Sequence, residues 1–191
     1  SKKLFHEKFP YVIPGLYKRI VDEMLVELNL LNQQNEFTQD NLFCVGLTET
    51  FKELMKGYKP EKHLDLLFES LCSSSNFKAH EIKEISQKSQ DEFKEKSSTD
   101  LLKLLEEKNK TNLYPSRVLN LGLYILFSRS KDIKGKKESE MNKMISEFFE
   151  KVNLSANKAE KDIGIYKSSI TRMEQAKELI EEQKIKGKNK T

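Results

Sequence analysis

The stretch from Pro115 to Arg129, PSRVLNLGLYILFSR, constrains the fold more than any other part of the chain. Between Arg117 and Arg129 lie eleven residues without a charge, and eight of them are large and apolar: Val118, Leu119, Leu121, Leu123, Tyr124, Ile125, Leu126 and Phe127. Pro115 and Ser116 supply a helix start, because proline tolerates the first turn and serine caps free N–H groups. Wound as a helix, the apolar side chains point in every direction, so the element must be covered on all sides. Gly122 in its middle costs about 1 kcal/mol against alanine. The missing side chain fits a second helix backbone passing close by. A bilayer crossing needs roughly 20 apolar residues, more than this run holds, so the stretch predicts the core helix of a soluble domain.

The rest of the chain reads as helices built around that one. Ser1 to Phe9 is charged, with scattered apolar residues, and predicts a weak leader or short helix. Pro14 and Gly15 mark the start of a helix to about Leu31, with Leu16, Ile20, Met24 and Leu28 on one stripe. The next runs from Asp40, its N-cap, to Gly57, its stop, and buries Phe43, Gly46, Leu47, Phe51, Leu54 and Met55. Its FCVGL (43–47) echoes LNLGL (119–123) in the central stretch; shared close packing explains so short a match more cheaply than duplication. Pro60 opens a helix to about Cys72. Lys78 to Lys96 carries a thin apolar stripe of Ile82, Ile85 and Phe93. Ser98 or Thr99 caps a short helix with Leu101, Leu102, Leu104 and Leu105. Lys131 to Glu140 predicts a solvated connection. A helix over Glu140 to Val152 turns Met141, Met144, Ile145, Phe148 and Phe149 inward.

Ser155 then caps a long final helix reaching towards Lys186. With Ala156 at position a of a heptad, Ile163, Ile170 and Lys177 follow at a, and Ala159, Tyr166, Met173 and Ile180 stand at d. This coiled-coil-like seam is regular through Met173 and is broken by Lys177 and Lys184, so the helix packs early and projects later. No segment alternates as a strand would. The predicted fold is all-α: a compact multi-helix bundle around a buried central helix, with a long C-terminal helix that partly projects. A helical body spans 1–154, and the last helix with its basic tail spans 155–191.

The net charge is +4, and Lys184, Lys186, Lys188 and Lys190 in the last eight residues account for all of it. The body is neutral and the tail basic. Such a tail admits three readings: a frayed terminus, contact with a membrane surface or protein, or contact with nucleic acid. At about 1 kcal/mol per lysine near an anionic membrane, four give roughly 4 kcal/mol, about millimolar binding, enough for transient association only. Nucleic acid is the weakest of the three, because the tail lacks interleaved aromatics and arginines. Cys44 and Cys72 sit in apolar patterns and read as buried, inert thiols. His6, His63 and His80 stand apart from one another and from the cysteines, so no metal site is expected. Phosphate-loop and Gly-x-Ser-x-Gly patterns are absent. The sequence predicts no catalytic, cofactor or metal residues. No signal peptide or transmembrane stretch is legible, and an opening at Ser1 leaves room for an N-terminal segment ahead of it.

Four stretches together resemble the thylakoid-formation family, also called the photosystem II biogenesis family, of cyanobacteria and plastids. They are FPYVIPGLYKRIVDEMLVELNLL (9–31), NLFCVGLTETFKELMKGY (41–58), YPSRVLNLGLYILF (114–127) and DIGIYKSSITRMEQAKELIEE (162–182), in the family's order and spacing. Cys72 to Lys110 and the 131–140 loop depart from it. The resemblance implies an all-helical, non-catalytic accessory factor for thylakoid formation and photosystem II biogenesis and repair. It further implies a link to the membrane FtsH protease complex, without catalytic or cofactor residues. The expected location is peripheral to the thylakoid membrane, on its cytoplasmic face, or stromal in a plastid. The residues expected to meet a partner are Met173, Ala176, Leu179 and Ile180, with Lys184, Lys186, Lys188 and Lys190 beyond them; the alternative is that this apolar stripe packs on its own domain. The rival expectation is a helical protein that binds nucleic acid or a membrane surface through the same basic tail.

Overall fold

The computed structural model describes residues 2–108 and 114–188, and among them every regular element is a helix. In chain order these are α1 (Lys2–Lys8), α2 (Gly15–Asn32), α3 (Asn41–Leu54), α4 (Leu64–Ser74), α5 (Ala79–Phe93), α6 (Ser98–Lys108), α7 (Arg117–Arg129), α8 (Glu138–Lys151) and α9 (Ala156–Lys188). A single 3-10 turn, Glu61–His63, leads into α4.

The middle of the molecule is the crossing of α3 and α7. Each begins with a side chain that accepts a backbone N–H three residues on: Asp40 from Phe43 at 2.7 Å and Ser116 from Leu119 at 3.1 Å. Pro115 stands just ahead of that cap and outside the first turn. Gly46 of α3 and Gly122 of α7 face each other. A Cβ placed on Gly46 would lie 2.0 Å from the Val118 carbonyl oxygen, and one on Gly122 would lie 2.0 Å from that of Leu42. Both obstacles are backbone atoms four residues before the opposite glycine, so the contact is reciprocal. The two helices touch backbone to backbone, and only glycine at both positions permits it. The paired FCVGL and LNLGL motifs are the two halves of this crossing.

The α3–α7 pair divides the apolar interior in two. On one side Phe43, Cys44, Leu47 and Phe51 of α3 join Val21, Leu25 and Leu28 of α2, Leu67, Phe68 and Leu71 of α4, and Phe5 and Phe9 from the N-terminus. On the other, Leu42 and Val45 of α3 join Leu119, Leu121, Leu123 and Leu126 of α7, Leu101 and Leu105 of α6, Phe148 and Phe149 of α8, and Ala159 and Ile163 of α9. Cys44 and Cys72 are buried free thiols, and burial pushes the pKa of each up to about 12. Both are inert at neutral pH.

Two stretches of charged sequence carry buried apolar anchors. The N-terminal leader is a helix whose Phe5 stacks on Phe9 at 6.0 Å, both buried, because α1 packs against α4. The 131–140 segment is more than a solvated connection. Ile133 is buried, Asp132 accepts the Ser98 N–H at 2.7 Å and so caps α6, and the Lys131 N–H donates to the Lys96 carbonyl at 3.1 Å. The charged composition hid that single apolar anchor.

Candidate functional site

The sequence singles out α9 for contact with other molecules, and its course over the body decides which of its residues are available. Ser155 caps it, accepting the Lys158 N–H at 3.3 Å. The heptad seam then packs in register: Ala159, Ile163 and Met173 are buried, with Ala156, Tyr166 and Ile170 half-buried between them. The partners are the protein's own helices α3, α7 and α8. Polar groups flank this seam. Asn120 of α7 donates to Asp162 at 2.7 Å, and Lys167 donates to Glu138 of α8 at 2.8 Å while lying over the Tyr124 ring. Burial, with help from the Glu53 and Tyr124 charges, raises the Tyr166 pKa well above its usual value.

The seam reaches further than the change from apolar to basic residues suggested. Met173 is only 5% exposed and belongs to the apolar interior with Tyr17, Leu54 and Met55. Its place among the partner-contact residues is therefore corrected: a d position that still has body beneath it is covered. Lys177 follows it onto the body by laying its aliphatic stem across Gly57. A Cβ there would sit 3.3 Å from Lys177 Cε and 3.4 Å from the Tyr17 hydroxyl. Lysines cover apolar surface in this way while keeping the ammonium in water.

Beyond Lys177 the helix is exposed to solvent. Every residue from Glu178 to Ile185 is exposed, and residues 178–188 extend roughly 16 Å at the helical rise. Leu179 is 59% exposed, Ile180 41% and Ile185 61%. Ala176 is half-buried, and Lys184 is exposed. The side chains of Lys186 and Lys188, and the whole of Lys190, lie outside the described residues. Ile185, which stands among the lysines of the basic end, was not named in the sequence reading.

Elsewhere the ionisable groups hold helices together. Glu49 of α3, buried, accepts from Arg129 at 2.6 Å and from Lys52 at 2.8 Å. Burial alone would raise its pKa, but those two donors overcome it and hold the carboxyl below the usual range. Glu27 shows the opposite balance. Burial raises its pKa, and Arg117, at 3.8 Å, offsets only part of the rise. Glu27 and Arg117 border a cavity of about 50 Å³ between α2, α3, α7 and α9 that also takes in Thr50, whose buried hydroxyl has no hydrogen-bond partner among the described residues. That volume suits one or a few waters. A wider groove of about 910 Å³ runs between α3, α4 and α5 over Phe51, Leu64 and Phe68. Among the described residues no cluster of histidine, cysteine and carboxylate could hold a metal ion. His80 pairs loosely with Glu84 at 3.8 Å, and the His63 ring stacks on Tyr11. No helix among the described residues is long and apolar enough to cross a membrane.

Comparison with known proteins returns one consistent result. The model of the thylakoid formation protein family matches residues 1–114 and 106–191. The Thf1 protein of Prochlorococcus marinus strain MIT 9312 is 76% identical over 191 residues, which cover all of this chain and 95% of that protein. The Thf1 protein of Synechococcus sp. strain CC9605 is 37% identical over 184 residues, covering 95% of this chain and 86% of that one. The solved structure of Psb29 superposes with a TM-score of 0.85 at 24% identity, over 99% of this chain and 95% of that structure. At that identity it shows the same all-α fold.

Proposed function

The chain belongs to the thylakoid formation protein family, and from that premise we propose that it acts as a non-catalytic accessory factor in photosystem II biogenesis and repair, by contact with the membrane FtsH protease complex. The body is a rigid helical scaffold, and the end of α9 is the contact element. The protein works peripherally, on the cytoplasmic face of the thylakoid membrane. One observation carries this reading: α9 leaves the body at Lys177 and carries Leu179, Ile180 and Ile185 exposed for another two to three turns. A terminal extension of that kind gives a protein partner exposed apolar side chains on a preformed helix, spread around it and not gathered on one face. The lysines at and beyond Lys184 add a cationic end that steers the encounter with an acidic surface.

Truncation after Lys177 tests it, because the whole packed seam, Met173 included, stays in place. Affinity capture from solubilised thylakoid membranes, read by mass spectrometry, is expected to lose FtsH subunits with the truncated protein and keep them with the full chain. Undiminished capture by a truncated protein of unchanged thermal midpoint would overturn the assignment of α9. The nucleic-acid alternative draws only on the tail lysines, which have no interleaved aromatics or arginines.

A further inference from the structure

The loop between α1 and α2, residues 9–14, holds the most exposed large apolar side chain among the described residues. Val12 is 91% exposed and Tyr11 46%. Exposure on a mobile loop would mean little, but this loop is fixed at three points. Phe9 is buried and its N–H donates to the Phe5 carbonyl at 2.8 Å. The Tyr11 ring stacks on His63 with centroids 3.9 Å apart. Pro10 and Pro14 bracket the tip and restrict its backbone. A valine held out in water on a preorganised loop is an anchor without a visible pocket.

The surroundings of Val12 indicate the chemistry of its partner. Lys8 ends α1, Lys18 lies in the first turn of α2, and Lys62 lies in the 3-10 turn beside His63; all three are exposed. Other basic groups nearby are neutralised, Arg19 by Glu23 and Lys59 by Glu61. Among the described residues Lys8, Lys18 and Lys62 have no carboxylate within salt-bridge distance. An exposed apolar tip, an aromatic ring with a polar edge and three lysines without a carboxylate partner suit the surface of an anionic bilayer. Tyrosine settles at the headgroup level, and each lysine held there strengthens partition about fivefold.

Placement supports the same partner. Gly57, where Lys177 of α9 lies against the body, stands four residues before the 3-10 turn that carries Lys62 and His63. Tyr17, three residues after Pro14, reaches the same place, its hydroxyl donating to the Lys56 carbonyl at 3.1 Å. Loop 9–14, residues 57–63 and the departure of α9 therefore lie together at one end. We propose that this end is the membrane-facing one, with Val12 and Tyr11 entering the headgroup region of an anionic lipid surface and Lys8, Lys18 and Lys62 pairing with its charge. The proposal rests on the peripheral location given above and assigns it to the loop rather than to the basic tail.

Flotation of the purified full chain with vesicles tests it, using phosphatidylcholine alone or with about 40% phosphatidylglycerol, at about 50 and about 500 mM salt. The expected result is binding to the anionic vesicles only, lost at the higher salt. Val12→Asp is expected to weaken binding about tenfold with an unchanged thermal midpoint, since that side chain touches little. Lys18→Glu with Lys62→Glu should do the same, whereas Lys184→Glu should change binding less than about twofold. Failure of the unsubstituted protein to bind, undiminished binding by either loop variant, or a larger loss from Lys184→Glu each overturns the proposal. FtsH capture by the Val12→Asp protein keeps the two readings apart. Retained capture beside absent vesicle binding removes the membrane-facing loop and leaves the protease contact standing. Lost capture with no vesicle binding by the unsubstituted protein assigns Val12 to a protein partner and overturns the proposal as well.

Discussion

α7 and the last turns of α9 are helices of the same chain under opposite constraints. α7 has 13 residues, a charge at each end, and nine buried positions between them. It contributes to both apolar clusters and meets a second backbone at Gly122. The final third of α9 has apolar residues as well, but Leu179, Ile180 and Ile185 stand on different sides of the helix, and all three are exposed. Hydrophobicity alone does not separate the two. What differs is whether a neighbouring element exists to pack against, so equal substitutions must have unequal consequences.

The sharpest test of that difference lies at the α3–α7 crossing. Gly122→Ala adds one methyl group and improves intrinsic helix propensity by about 1 kcal/mol. The added carbon would lie 2.0 Å from the Leu42 carbonyl oxygen, a backbone atom of a helix that cannot yield alone. The expected cost is about 4 kcal/mol or more, enough to unfold a domain of ordinary stability under mild heating. Leu123→Ala next to it, which removes a fully buried side chain, is expected to cost about 3 kcal/mol. Urea titration of both variants orders them. A Gly122→Ala protein as stable as the unsubstituted one would mean that the helices do not touch.

A smaller effect is expected where α7 ends. Arg129→Ala removes one of two cations on Glu49 and leaves Lys52 in place. Because Arg129 is half exposed and Lys52 remains, the loss at neutral pH should be about 1–2 kcal/mol. Its pH dependence carries a sign. Glu49 has a folded pKa below its unfolded one, so the stabilisation is complete above the ordinary carboxylate range and is lost as pH falls through the folded value. The gap between variant and unsubstituted protein is therefore expected to close on acidification. A gap constant from neutral to acid pH would show that Arg129 acts through packing and not through its charge.

How much of this was legible in the sequence follows from the same distinction. The burial of α7 could be read because its lack of charge over three turns admits one environment, and Gly122 announced the close approach. The seam of α9 was readable through Met173 because a heptad pattern specifies a face. Where the face stops being covered was not readable, since that depends on how far the body extends beneath the helix. Met173 was placed with the free residues for that reason. Lys177 looked like a break and is in fact the last contact, because a lysine stem packs as well as an aliphatic side chain. Ile133 was hidden by seven charged neighbours in its loop. Val12 was hidden differently: a Pro-x-x-x-Pro segment shows that a loop is stiff, but not which of its side chains faces water.

The smallest effect expected is also the one that most directly separates the two helices. Leu179→Ser and Ile180→Ser each remove a branched aliphatic side chain of the kind whose loss in α7 is severe. Here the side chain is 59% or 41% exposed in the folded protein, so little apolar area returns to water and no cavity opens. Serine lowers helix propensity slightly, by a few tenths of a kcal/mol. Each variant should therefore lie within about 0.5 kcal/mol of the unsubstituted protein in denaturant, with the slope of the transition unchanged. Ile180 is the more demanding case, because it continues the d register one heptad beyond the buried Met173. A loss of about 2 kcal/mol at Ile180 alone would show the seam extending past Lys177, and the free part of α9 would then begin a turn later. Unchanged stability at both positions, together with lost FtsH capture by the double variant, is the pattern expected of side chains retained for a partner and not for the fold.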